Sequence, residues 1–353
     1  MSAITKNRSG LASRRSRARA GGSLLKTSSP IISISLLFVT AVLLFSILGK
    51  GFLSPFNLNS LTQLAAQDIV IGLAQTVMIV LGRMNLAVGG IAALVGAVFG
   101  SLAERGIPIP TLIVIALIVG ALAGGLMAIA ELATGLNAFI VTLAFLSIYS
   151  GAVIVATEAH HYRIPSPEFI KFGNGSLFTP HLSMLMLVAG IVAVGMWLFY
   201  FRTPFGWKAV AIGANEKAAV ASTVHRKRTV ALGYVISGVL CAIAALMEIA
   251  RVGEASPALG SAWLFPSFIG PVLGGVALTG GVVTIAGVVL AALFYDTLAS
   301  GLVLIGVPTY WLEFAQGLIL LGALILIEMR TGMFRKLLRR LNLRQGASDG
   351  KTS

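Results

Sequence analysis

Long apolar runs alternate with short polar links along almost the whole chain. The runs fall at 31–48, 64–82, 86–102, 111–130, 138–156, 181–201, 229–250 and 310–327. Each approaches the ~20 residues that an α-helix needs to cross the hydrocarbon layer of a bilayer. The stretch 264–300 is also apolar, but Gly270-Pro271, Gly274-Gly275 and Gly280-Gly281 interrupt it. It divides into a short or broken span at 264–278 and a second at 282–298. The pattern therefore predicts an all-α, polytopic membrane protein with about ten transmembrane helices. Turns are expected at 83–85 and 131–137. The two longest polar links are 157–180 and 202–228.

Composition and charge add an orientation. Of the 353 residues, 57% are hydrophobic and 11% charged, against about 25% charged in soluble domains. The formal charge is +14, but 20 of the 26 basic residues lie in segments 1–30, 202–228 and 329–353. Basic residues gathered outside the apolar runs mark cytoplasmic segments and do not point to nucleic acid. Six spans separate the first two segments and four separate the last two, so all three fall on one side. The expected organisation is a basic cytoplasmic tail (1–30), a transmembrane domain (31–328) and a second basic cytoplasmic tail (329–353), in an inner membrane. The first run is too long for a cleaved signal and no A-x-A site follows it, so it reads as a retained span.

Covalent chemistry finds little support. The single cysteine, Cys241, excludes an intrachain disulfide or a zinc site made of cysteines. His160 and His161 lack a nearby second ligand pair, so no metal site is expected. No G-x-x-x-x-G-K-[ST] phosphate loop occurs, so ATP, if used, is hydrolysed by another chain. No cofactor is expected and the chain does not read as an enzyme.

Two groups of residues stand out. In the 202–228 loop, Asn215 can cap a short helix, and Glu216 sits in its first turn where the helix dipole favours an anion. Lys217, Ala218, Ala219, Val220 and Ala221 continue it. A short amphipathic helix on a cytoplasmic face gives a soluble partner a place to push. Gly213 and Ser222 flank the helix. Elsewhere, Gln67, Asp68, Gln75 and Asn85 lie in or beside the second and third spans. Polar groups there are expensive in lipid and must face protein or water. They line a polar path for a hydroxyl-rich solute, or they hydrogen-bond between helices.

Several stretches resemble the permease subunits of ribose/xylose/arabinose-type ABC sugar importers. The segment 202–222, RTPFGWKAVAIGANEKAAVAS, is similar to the family pattern R-T-x-F-G-x-x-x-x-A-I-G-x-N-x-x-A-A-x-x-S. The segment 273–281, LGGVALTGG, resembles L-G-G-x-S-L-x-G-G. The segment 82–89, GRMNLAVG, resembles G-G-I-D-L-S-V-G, with Arg83, Asn85 and Ala87 as departures. Ala277, Val283 and Thr223 also depart, the last standing where glycine is usual. The resemblance implies a fold like that of vitamin B12 importer permeases. It implies import of a monosaccharide or related polyol. The partners implied are an ATPase with two fused nucleotide-binding domains, a periplasmic sugar-binding protein and a second permease subunit, identical or related. It also implies that Gly213, Asn215, Glu216, Lys217, Ala218, Ala219 and Ser222 belong to the surface coupled to the ATPase. The alternative is a secondary transporter driven by an ion gradient, for which Asp68 is the one plausible acid well inside an early span.

Overall fold

The computed structural model describes residues 31–308 and positions 311, 314, 317, 318, 321, 322 and 325. The basic tails at 1–30 and 329–353, and most of the expected tenth span, lie outside the described residues. The chain divides at Gly306 into two units, and all the elements named here belong to the first.

Twelve helices are described in that unit. They are α1 (Ile31–Leu48), α2 (Pro55–Val80), α3 (Val88–Glu104), α4 (Ile109–Thr134), α5 (Ala138–Thr157), α6 (Pro167–Asn174), α7 (Met184–Arg202), α8 (Pro204–Ala214), α9 (Glu216–Ala221), α10 (Arg226–Val252), α11 (Leu264–Leu273) and α12 (Ile285–Leu304). Seven of them are long and apolar enough to cross a membrane, and α3 and α11 are shorter apolar helices. The only strands among the described residues are β1 (Tyr162–Arg163) and β2 (Glu254–Ala255), paired antiparallel.

α2 is the central helix. In its most apolar window 89% of residues are buried, against 17% for α1 and 22% for α7, which leave most of their surface for lipid. It begins nine residues before the expected start. Pro55 fits the first turn, where a missing N–H costs nothing, and the Ser54 hydroxyl accepts from Asn57 N–H at 3.3 Å. Polar residues ahead of the expected start are absorbed into the helix: Thr62 bonds back to the Leu58 carbonyl at 2.9 Å.

Small residues set the close helix crossings. Gly120 and Gly124 of α4 meet Gly238 and the Tyr234 backbone of α10, with no room for a side chain at either glycine of α4. Tyr149 of α5 closes the same layer by donating to the Ala123 carbonyl at 2.7 Å.

Two expected spans are only partly helical. α11 is ten residues long and has Pro271 inside it, so it is about 15 Å long, half a bilayer. The chain then descends beside α2 without helical structure. Gly270 packs on Gly72, and Gly281 N–H donates to the Val80 carbonyl at 3.0 Å. Before α3 the residues Arg83–Ala87 are likewise non-helical. Such backbone is tolerable at membrane depth when protein covers it, and Asn85 and Ala87 are fully buried.

Candidate functional site

The 202–228 loop folds as two helices, α8 and α9, joined at Asn215. The Asn215 side chain accepts from Ala218 N–H at 3.0 Å, so the expected cap is present. α8 was not expected as a helix; it is anchored by buried Phe205, Ala209 and Ile212.

Gly213, near the end of α8, lies against two other backbones. A side-chain carbon on it would meet the Val80 carbonyl and the Gly281 nitrogen. Gly82, Gly280 and Gly281 have φ of +72°, +89° and +79°, the left-handed region that glycine reaches at no steric cost. The three glycine-bearing motifs, far apart in sequence, thus converge at one place at the end of α8.

Beside them lies an ionic cluster. Arg83 Nε donates to Glu131 Oε1 at 2.7 Å, and Arg83 Nη1 to the Leu81 carbonyl at 2.9 Å. Its Nη2 reaches Glu216 Oε2 at 3.3 Å. Arg226, the first residue of α10, pairs with Glu216 Oε1 and stands 4.0 Å from Glu131 Oε1. Tyr234 donates to Glu131 Oε2 at 2.6 Å. Arg83 and Glu131 are both buried, while the Glu216 side chain is 41% exposed. The sequence placed Glu131 in a turn; it lies instead within α4, because Arg83 and Tyr234 satisfy its carboxylate.

Of α9 only Ala219 is buried. Lys217, Ala218, Val220, Ala221 and Ser222 are exposed and form a small, mostly apolar face. The helix ends with Thr223 N–H bonded to the Val220 carbonyl and Val224 N–H to the Ala219 carbonyl, both at 3.1 Å. This is the two-bond terminus that usually carries glycine in the left-handed position. Here Thr223 takes it, at φ +66°. A left-handed conformation costs an L-residue roughly 1–2 kcal/mol. Thr223→Gly is therefore expected to stabilise the protein by up to about 1 kcal/mol after glycine's own entropy cost, read as a raised thermal midpoint in detergent.

The four residues considered for a polar path are spread along and beyond α2. Gln67 donates to Glu248 and accepts from Trp263 Nε1 at 3.1 Å, with its amide oriented to satisfy both. Glu248 also holds Arg251 through two hydrogen bonds from Nη2, at 2.8 and 2.9 Å. Asp68 lies within electrostatic reach of Glu248, Arg251 and Asp296. Gln75 is fully buried, and neither of its amide atoms has a hydrogen-bond partner among the described residues. Asn85 donates to Ser237 Oγ at 3.1 Å and accepts from Ala87 N–H at 2.9 Å. A cavity of about 100 Å³ lies between α3, α5 and the 257–261 link; Leu86, Ser150 and Ser261 are among its lining residues, and Asn85 is not.

The described residues thus form a polytopic helical domain with an exposed, capped helix in its main polar loop. The sequence matches, over residues 57–324, the family described as the permease component of the branched-chain amino acid transport system, and the chain belongs to that family. The ribose import permease protein RbsC of Bacillus subtilis is 31% identical over 296 residues, covering 81% of this chain and 88% of the relative. The autoinducer 2 import system permease protein LsrD of Photorhabdus laumondii is 31% identical over 299 residues, covering 81% and 89%. LsrD of Salmonella typhimurium is 29% identical over 298 residues, with the same coverage. No solved structure matches. The chain is thus a multi-pass permease subunit of an ABC-type import system, and ATP hydrolysis lies in a separate subunit.

Proposed function

We propose that this chain forms half of a channel that imports a monosaccharide or related polyol across the inner membrane. Relatives named for ribose and autoinducer 2 import support a sugar-type solute. The second half is another permease subunit, the same chain or a relative. A periplasmic binding protein delivers the solute, and an ATPase with two fused nucleotide-binding domains docks on the 202–228 loop. The basic residues of the two tails and this loop support a cytoplasmic position for all three.

The observation that carries the reading is the state of α9. It is capped and mostly exposed, and it is held to the rest of the protein by buried Ala219 and by the pairing of Glu216 with Arg83 and Arg226. A solvated surface turn needs no such support, whereas a helix that transmits force does. Gln67, Asp68, Gln75 and Asn85 remain the proposed polar contacts of the solute path.

The test is Ala218→Trp on the exposed face of α9. The permease is expected to fold and insert normally, to lose co-purification with its ATPase and to lose ATP-dependent uptake. An Ala218→Trp protein that keeps both would remove α9 as the docking surface.

A further inference from the structure

Ser150 and Ser261 are the polar side chains around the cavity of about 100 Å³ between α3, α5 and the 257–261 link. The rest of its wall is apolar side chain or glycine, including Leu86, Gly89, Gly260 and Leu264, and none of its lining residues is charged. Thr142 and Thr157, on the same helix as Ser150, bond back to the carbonyls four residues earlier, at 2.9 and 2.8 Å. That bond is the usual way to satisfy a hydroxyl within a helix. Neither the Ser150 nor the Ser261 hydroxyl has a hydrogen-bond partner among the described residues. The cavity also lies at membrane depth. Ser150 is about 18 Å along α5, a helix about 30 Å long. Gly260 packs on Gly89 with no room for a side chain at Gly89. The non-helical link after α10 therefore dips to the start of α3, and the short α11 begins at the edge of the cavity with Leu264. Irregular backbone persists at this depth where it lines a wet cavity, and transporters place solute sites at such breaks.

We propose that this cavity is a solute subsite: it takes one edge of a neutral polyol, whose hydroxyls exchange hydrogen bonds with Ser150 and Ser261, and it refuses a zwitterionic amino acid. The inference rests on the reading of the chain as half of an import channel and narrows its solute class. At roughly 30 Å³ per water the cavity equals about three waters, so an edge of about two or three hydroxyl-bearing carbons fits and a whole ring does not. A serine hydroxyl both donates and accepts, as a sugar hydroxyl does. An amino acid would bring an ammonium and a carboxylate to walls that hold no opposite charge, and an unpaired buried charge is costly. This chemistry separates the two kinds of solute named among similar proteins: branched-chain amino acids in the family description, ribose and autoinducer 2 in the relatives.

The experiment labels Ser150→Cys, Ser261→Cys and Leu122→Cys permeases in lipid nanodiscs with a charged, water-soluble methanethiosulfonate. Leu122 is an exposed apolar residue near the middle of α4 and serves as the lipid-facing control. The wild type is the blank, since its one cysteine, Cys241, is buried. Serine and cysteine differ by one atom, so the two cavity variants are expected to fold. Thiols at 150 and 261 should react at least about tenfold faster than the thiol at 122, because apolar surroundings raise a thiol's pKa and each unit removes tenfold of the reactive thiolate. Excess ribose or glycerol should slow labelling at 150 and 261 and leave 122 unchanged, while leucine at the same concentration should slow neither. Rates at 150 and 261 no faster than at 122 overturn the subsite. Rates that neither ribose nor glycerol slows, or that leucine slows, overturn the polyol assignment. Labelling needs no ATPase, binding protein or ATP, so its failure leaves the import reading standing. Gradient-driven uptake by the permease alone would remove that reading without changing these rates.

Discussion

Gly213→Val is expected to remove nearly all folded permease from the membrane. A side chain at this position enters space already held by the Val80 carbonyl and the Gly281 nitrogen. Both are backbone atoms, and they are joined to each other by a 3.0 Å hydrogen bond. No flexible side-chain end is available to give way. Overpacking ordinarily costs about 1–3 kcal/mol, and a clash with two backbones belongs at or above the upper end. The α2 terminus, the 279–281 turn and α8 would have to separate, which would also carry Arg83 away from Glu216. Gly213→Ala should show the same defect in smaller measure. Folded yield by size-exclusion in detergent and the thermal midpoint read the effect. A Gly213→Val protein with wild-type yield and midpoint would mean that the three segments do not pack as described.

Arg83→Met should destabilise the protein by ~3–5 kcal/mol, the usual cost of removing one partner from a buried ion pair. Glu131 would keep Tyr234 and a 4.0 Å approach from Arg226, which compensates only in part. Glu131→Leu should cost a similar amount or somewhat less, because the Arg83 guanidinium loses its shortest partner but keeps Glu216 at 3.3 Å and the Leu81 carbonyl. The double replacement Arg83→Met with Glu131→Leu strands neither charge. It leaves two neutral groups short of a partner, the Tyr234 hydroxyl without its acceptor and the Leu81 carbonyl without the Arg83 donor, each a cost of about 1–3 kcal/mol or less. The double variant is therefore expected to be more stable than either single variant, with a coupling energy near 3 kcal/mol at most for groups in direct contact. Thermal unfolding of the four proteins in one detergent measures the cycle. Additive losses would show that Arg83 and Glu131 act independently.

How far the sequence reached depended on what fixes each feature. Apolar runs are a local property, so the long spans α4, α5, α7 and α10 were legible to within a few residues. The start of α2 was not, because Pro55, Asn57, Asn59 and Ser60 fall in a stretch (49–60) that reads as a polar link, while Ser54 caps and Pro55 begins a helix. The 264–278 span was recognised as broken from Pro271 and its glycines, and α11 does stop at Leu273. In the loop, the Asn215 cap and the acidic first turn are local signals and α9 follows them. α8 escaped notice because its buried side is defined by Phe205, Ala209 and Ile212 against the core, which spacing alone does not reveal.

The ionic cluster lies at the other extreme. Arg83 and Glu131 are 48 positions apart, and Arg83 and Glu216 are 133 apart. Nothing local joins them. Two traces were present: Arg83 stood out as a departure from the resembled motif, and Glu131 was a lone acid closing an apolar run. Opposite charges at neighbouring span ends were the available clue to their pairing. The polar residues of α2 show the same limit. Position could single out Gln67 and Asp68, but their company with Glu248, Arg251 and Asp296 depends on how α2, α10 and α12 pack.

The central claim is that these helices move only when a separate motor grips the loop. The direct measurement is solute uptake by proteoliposomes containing the permease, with and without its ATPase, binding protein and enclosed or external ATP as the orientation requires. The account predicts uptake only when all components and ATP are present, and none in response to a proton or sodium gradient. Uptake by the permease alone, following an ion gradient without nucleotide, would contradict it.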